Sequence, residues 1–299
     1  MNIYHQVIFF IIGIILLYIF IQYCEHPYHM PIPVKESFTS PVVEPETREW
    51  SSVYAKLYDK VFSADEYYEK ESQLIESVLR GRGVYPWSRG VELGCGTGRN
   101  YQFLRKGGPI LGIDMNRSMI EIAQTRNPTG DFMKADIRQK DLIPIGSVDI
   151  VFLLGETLYL NSGRDQFVIL REIRRWMKKG GFLVMTYWDS KDLDPAPQPY
   201  SQIIDGEHAV TYFENLQHEA WFEPRKEIGE GVFDYEERYT LTAGDGSVKT
   251  NEESHRVYLP PTRKVMMELL DQTGWKVVEM KGLEKIGMKD RELFFLQQK

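Results

Sequence analysis

Residues 90–100 read Gly-Val-Glu-Leu-Gly-Cys-Gly-Thr-Gly-Arg-Asn, an apolar strand end running into alternate glycines. Gly94, Gly96 and Gly98 can take backbone angles closed to other residues, and they leave the main chain bare where a ligand must come close. A helix beginning near Asn100 would present unpaired N–H groups at the same corner. This is the chemistry of nucleotide binding, but the spacing is not that of the dinucleotide fingerprint Gly-x-Gly-x-x-Gly, because Arg99 occupies the place of its third glycine. Glu92 stands just before the turn, where it would repel a pyrophosphate and could accept hydrogen bonds from a cationic ligand. A nucleoside that carries an amino acid suits the corner better than a dinucleotide.

Two more carboxylates fall at the ends of apolar runs. Asp114 closes the run 109–115, about 20 residues beyond the first glycine, the offset at which an acid meets ribose hydroxyls in a nucleotide-binding α/β unit. Asp136 stands near the end of 132–137. Further apolar runs follow at 148–155 and 180–189, with an amphipathic helix expected over 171–179. Strands alternating with helices imply a parallel sheet. Taken singly, each acid reads as a helix cap or a solvated turn; their order and spacing single them out together.

On these residues the chain resembles the class I S-adenosylmethionine (SAM) dependent methyltransferases of the small-molecule type. The resemblance implies an α/β fold with a Rossmann-like, seven-stranded sheet, and SAM as cofactor. It places Glu92, Gly94, Gly96 and Gly98 in the cofactor pocket, with Asp114 on the ribose hydroxyls and Asp136 on the adenine amino group. Met115, Ile137 and Leu154 are implied beside them. A Tyr-Ala-x-x-Tyr-Asp segment closes over SAM in this family, which brings in Tyr54 and Tyr58. The helical spacing of Tyr54, Leu57, Tyr58 and Val61 equally suits a core-facing stripe. After the fourth strand, Gly155-Glu156-Thr157-Leu158-Tyr159-Leu160 resembles the acceptor loop of small-molecule N- and O-methyltransferases. The Asn-Pro-Pro-Tyr element that holds planar nitrogens is absent.

Glu156 could pair with an ammonium or take its proton, and it could equally cap the next helix. Tyr159, His218 and His255 are the other candidate bases, with Glu156, Tyr159 and His255 foremost. Beyond the fifth strand, polar residues alternate with aromatic or branched ones at 208–213, 218–223, 231–242 and 247–258, broken by Ala243-Gly244-Asp245-Gly246. That pattern predicts antiparallel strands with a hairpin. The insert, 203–258, becomes a β lid over the C-terminal strand edge, where open α/β sheets bind ligands. Trp221 and Arg256 are its candidate substrate contacts. A helix at 262–273 and strands at 275–282 and 291–297 would complete the sheet. The stretch 253–259, followed by Gly274-Trp275, resembles the tail of sugar-amine N-methyltransferases.

The 299 residues carry a formal net charge of −7, which argues against nucleic acid as a partner, since such binding needs basic surface. Cys24 and Cys95 are the two cysteines, too few for a disulfide framework. No metal-ligand cluster is visible in the sequence. Residues 3–23 are almost wholly apolar and uncharged, long enough to cross a bilayer. They predict an anchor at 1–24, a proline-rich linker at 25–48 and a methyltransferase domain at 49–299. Lys35 and Arg48 follow the span and place that domain on the cytoplasmic side of a single-pass membrane protein. The expected activity is methyl transfer from SAM to a nitrogen or oxygen of a small molecule or lipid headgroup. The alternatives are a membrane-tethered SAM-binding adaptor without turnover and a protein methyltransferase.

Overall fold

The computed structural model describes residues 51–299 apart from 62–64, 189–201, 205–207, 214, 225–231, 259 and 289–290. At 202–204, 208–213, 221–224 and 233 the backbone alone is described. The expected anchor and linker lie outside these residues. Among the described residues no helix is long and apolar enough to cross a membrane.

Two helices, α1 (Ser52–Val61) and α2 (Asp65–Gly81), precede the first strand, β1 (Gly90–Leu93). Alternation follows: α3 (Tyr101–Leu104), β2 (Ile110–Asp114), α4 (Arg117–Arg126), β3 (Asp131–Lys134), β4 (Val148–Leu153), α5 (Gly163–Trp176) and β5 (Met177–Trp188). Strands β6 (Gln202–Ile204), β7 (His208–Phe213), β8 (Leu216–Pro224), β9 (Val232–Thr242) and β10 (Val248–Tyr258) come next. The chain ends with α6 (Arg263–Gln272), β11 (Trp275–Gly282) and β12 (Arg291–Gln298).

One sheet has seven strands in the order β11-β12-β5-β4-β1-β2-β3. Strands β1 to β5 run parallel, while β12 pairs antiparallel with both β5 and β11. Strand order reverses between β1 and β4, which opens a crevice at their C-terminal ends. Both faces of the sheet are covered, so its central strands are apolar on both sides rather than alternating. Val151 and Leu153 of β4 pack in a core with Ile169, Leu170, Ile173 and Trp176 of α5. Ile150 and Phe152, the intervening residues, pack on the other face with Ile75, Val78 and Leu79 of α2.

Helix α5 begins earlier than its amphipathic stretch suggests, because the Ser162 side chain accepts a hydrogen bond from the Asp165 N–H and caps it. It also ends earlier. The helix expected over 171–179 stops at Trp176, since Met177 is already extended and pairs with Val148 of β4. Strands β6 to β10 form a second, five-stranded antiparallel sheet in the order β10-β9-β8-β7-β6. Its β9–β10 hairpin turns through Ala243–Gly246 as expected, with the Ala243 N–H donating to Ser247 O at 2.8 Å. Strand β10 lies against the helical turn Thr157–Leu160 that follows β4. The insert therefore sits beside the crevice.

Candidate active site

The glycine corner leaves β1 with its backbone turned through Gly94, Gly96 and Gly98. Two of these glycines are needed for different reasons. A Cβ at Gly94 (φ 68°) would stand 2.2 Å from Thr157 Oγ1, so this residue lets the β4 loop approach β1. Gly96 (φ 51°) has nothing within 4 Å of where its Cβ would be, and its freedom clears space for a ligand. Helix α3 is a single turn, continued by a 3-10 turn at Arg105–Gly107, which is much less helix than the corner suggests in sequence.

Asp114 leaves the end of β2 with both carboxylate oxygens oriented from below. Gly96 N–H donates to Oδ2 at 3.0 Å and Asn116 N–H to Oδ1 at 2.8 Å. Burial pushes the Asp114 carboxyl upward, and these backbone donors partly offset it. Met115, next to it, is among the exposed large apolar side chains of the described residues, as a surface meant for a flat apolar ring would be. Asp136 differs from what its expected role alone would require. Its oxygens accept from the Arg138 guanidinium at 2.6–3.0 Å, and Arg138 also approaches Asp165 at 3.7 Å. Burial opposes the charged form, but Arg138 outweighs it and holds Asp136 below the usual carboxylate range. Ile137 and Leu154 line the same edge as buried side chains.

Glu92 is 2% exposed at the end of β1. Its Oε2 has no hydrogen-bond partner among the described residues and is sealed from water. A buried acceptor left unpaired is costly, so the native protein needs a donor there. The corner thus fits SAM on three counts: cleared space at Gly96, an oriented ribose acceptor in Asp114, and an orphaned carboxylate oxygen at Glu92.

Helix α1 is pinned above this corner by Asp59. Thr97 Oγ1 donates to Asp59 Oδ1 at 2.6 Å, Arg126 bonds its Oδ2, and Arg99 Nη1 donates to its carbonyl at 3.1 Å. Tyr58 lies close enough to Asp59, Asp114 and Glu156 to feel their charge, which with burial pushes its hydroxyl pKa upward. Tyr54 takes a different place. It is 3% exposed and packs its ring 4.8 Å from His255, 5.7 Å from Tyr58 and 6.1 Å from Tyr239. The core-stripe reading holds for Tyr54, while Tyr58 faces the corner.

The acceptor loop brings Glu156 to the rim, its side chain 44% exposed. Its Oε1 meets Arg291 Nη1 at 2.6 Å, and the Arg291 guanidinium lies 5.0 Å over the Trp188 ring. Glu156 does not cap a helix with its side chain. Tyr159 is a correction. Its hydroxyl is buried and donates to Thr186 O at 3.1 Å, and its ring packs 4.3 Å from Trp188, so it is a wedge in the core and not a base.

The lid residues form their own network. Glu237 is fully buried, with His218 Nε2 at 2.9 Å, His255 Nε2 at 3.2 Å and the Tyr239 hydroxyl donating at 2.8 Å. Burial opposes its charge, and the two histidines outweigh that and hold its carboxyl low. His255, expected as a base, spends its Nε2 on Glu237. Arg256 Nε donates to Asp234 Oδ1 at 3.2 Å, directly across the β9–β10 ladder. The Trp221 side chain, an expected substrate contact, lies outside the described residues.

Sequence reading missed Glu71, Asp59 as a clamp, Arg291 and Glu237. Glu71 carried a signal: it stands at helical spacing with Ile75, Val78 and Leu79, a carboxylate within a core stripe.

With this geometry in view, residues 91–185 match a family described as a methyltransferase domain. The curated trans-aconitate 2-methyltransferase of Azoarcus sp. is 26% identical over 141 residues, 44% of this chain and 53% of that protein. The chain spans about half the length of the curated relatives it matches. A SAM-dependent methyltransferase from Clostridium acetobutylicum shares the fold with a TM-score of 0.65 at 11% identity, covering 82% of this chain and 96% of that one. The sugar N-methyltransferase KedS8 from Streptoalloteichus sp. superposes with a TM-score of 0.61 at 18% identity, covering 91% and 99%. Fold and corner define a class I SAM-dependent methyltransferase. Residues 91–185 are its methyltransferase domain, and SAM is the cofactor.

Proposed function

We propose that the chain transfers the methyl group of SAM to an amine nitrogen on a small molecule or lipid headgroup, at a membrane surface. The observation that carries the acceptor class is Glu156. It is a rim carboxylate at the end of β4 with one oxygen held by Arg291 and the other without a partner among the described residues. Tyr58 lies within its field, as does Tyr235 of β9. An ammonium approaching this rim meets a negative charge between aromatic rings, a favourable setting for a cation. The sugar N-methyltransferase with the same fold supports an amine, and the trans-aconitate relative shows that acceptors vary among proteins of this type.

SAM supplies an electrophilic methyl group on a sulfonium. The protein's own residues contribute position: Asp114 and the glycine corner fix the cofactor end, and Glu156 orients the amine and draws off its proton. Alignment of this kind can supply several kcal/mol. No strong base is required, because a neutral amine attacks and sheds its proton afterwards. The apolar, uncharged residues 3–23 support a membrane tether with the domain on the cytoplasmic side.

The test is release of S-adenosylhomocysteine from the full chain with SAM and a panel of amines, carboxylates, alcohols and thiols. Amines should turn over, and Glu156→Gln should raise the amine KM tenfold or more while S-adenosylhomocysteine affinity stays within twofold. Turnover of carboxylates or thiols alone would reject the amine reading. A full-length protein found in the soluble fraction would reject the tether.

A further inference from the structure

Helix α2 delivers a carboxylate that neither the glycine corner nor the acceptor rim uses. Glu71 is 2% exposed, and the Tyr67 hydroxyl, one turn earlier, donates to its Oε1 at 2.8 Å. From the other elements, Arg291 of β12, Glu156 after β4 and Glu92 of β1 lie within its electrostatic reach. Glu92 is in turn faced by Asp114 of β2, Asn100 and the Cys95 thiol. Three carboxylates, Glu71, Glu92 and Glu156, thus share one cation, Arg291, whose printed ion pair is spent on Glu156. The cluster is short of positive charge. Independently of that count, Glu92 Oε2 is a sealed acceptor without a donor.

An alkylammonium group would supply what is missing, because it brings one positive charge and three N–H donors. We propose that Glu71 and Glu92 together form the receptor for the α-ammonium group at the methionyl end of SAM. This rests on the cofactor assignment above. Burial pushes Glu71 up to about 7, against the Tyr67 hydrogen bond and Arg291. Burial and the charges of Glu71 and Asp114 push Glu92 up to about 8. Near neutrality the pair therefore holds protons before the ligand arrives. The ammonium displaces those protons rather than water: a carboxyl O–H ionises, its proton leaves to solvent, and the carboxylate accepts the N–H in its place.

The experiment is calorimetric binding of two thioether probes to the full chain. S-adenosylhomocysteine has the amino-acid end, whereas 5′-methylthioadenosine keeps the nucleoside and lacks that end. Titrations at pH 7 in buffers of different ionisation enthalpy count the protons released. Wild type should release protons with S-adenosylhomocysteine and few or none with 5′-methylthioadenosine. Glu71→Gln keeps the shape of the side chain and its bond to Tyr67. It should weaken S-adenosylhomocysteine tenfold or more, cut the proton release, and leave 5′-methylthioadenosine within twofold; Glu92→Gln should act the same way.

Equal weakening of both probes would make Glu71 a packing residue and overturn the proposal. Unchanged S-adenosylhomocysteine affinity and proton release in Glu71→Gln, with a raised KM for an amine acceptor, would give the ammonium site to the acceptor and also overturn it. If neither probe bound wild type, the cofactor assignment itself would fall, and this inference with it.

Discussion

The cofactor corner and the lid sheet both bury charged side chains, but they finish them differently. In the lid, polar groups complete one another. Glu237 takes His218, His255 and Tyr239, Arg256 takes Asp234, Arg238 takes Glu219 and Glu252, and Ser254 donates to Glu236. At the corner they are left open: Glu92 Oε2 lacks a donor, and Glu71 and Glu92 face each other with too little positive charge nearby. A self-satisfied network stabilises a fold, and an unsatisfied one awaits a ligand. The chemistry of this protein therefore belongs at the corner and its rim, and the lid is chiefly scaffold.

Removing the centre of the lid network is the harshest way to probe that contrast. Glu237→Ala would leave two buried histidines and a tyrosine without their shared acceptor. Breaking a buried pair in this way costs about 3–5 kcal/mol. Denaturant unfolding should show a loss of that order, with S-adenosylhomocysteine affinity of the folded fraction unchanged below its midpoint. If stability hardly moves and binding is lost, the lid network is part of the site, and the contrast breaks.

Titration separates the two regions by sign. In the unfolded chain Glu71 and Glu92 lose their protons near pH 4.5, whereas in the fold they keep them to about 7 and about 8. Between those limits the native state binds more protons than the unfolded state, so stability falls as pH rises and levels off above about 8. Glu237 has the opposite sign: its carboxyl is held low, so its stabilisation is present at neutrality and lost as pH drops below the ordinary glutamate value. From pH 5 to 8 the ligand-free protein should lose on the order of 3 kcal/mol more than its Glu92→Gln variant. Parallel profiles for the two proteins would mean that the corner is not strained by its carboxylates.

Asp114 tests the corner without disturbing the fold. Its carboxylate is oriented by two backbone N–H groups, and truncation leaves the ribose hydroxyls of a bound cofactor unpaired. Asp114→Ala should cost about 2 kcal/mol of S-adenosylhomocysteine affinity, roughly a thirtyfold weaker Kd by calorimetry. Equal affinity in a folded variant would move the ribose elsewhere.

Much of the corner was legible in the sequence because it is local. The residues 90–100 contain strand, turn and helix start in one stretch, and Asp114 follows at a fixed offset along a βαβ unit. The lid strands were legible too, since alternation and the Ala243–Gly246 turn mark them residue by residue. What the sequence concealed are contacts made across the chain. Arg291 reaches Glu156 only because β12 inserts beside β5, and His255 reaches Glu237 only through the β9–β10 register. A histidine or an arginine in an alternating strand looks the same whether it meets a substrate or a neighbouring carboxylate. Tyr159 misled for a related reason: its position after β4 suits a base, but its partner, the Thr186 carbonyl, comes from the adjacent strand.

Arg256 is the mildest probe and the one that sharpens the contrast most. The sequence makes it a substrate contact, whereas the structure shows its Nε spent on Asp234, its cross-strand neighbour, with the side chain about a quarter exposed, 26%. Partly exposed ion pairs contribute little, so Arg256→Ala should cost under about 1 kcal/mol of stability. Because the guanidinium is occupied within the lid, the variant should keep the acceptor KM within twofold, in contrast to Glu156→Gln at the rim. A KM raised tenfold by Arg256→Ala, with S-adenosylhomocysteine affinity intact, would show that the lid reads the acceptor directly. The ion pair with Asp234 would then be a resting partner that the acceptor displaces, and the lid would join the rim in choosing the substrate.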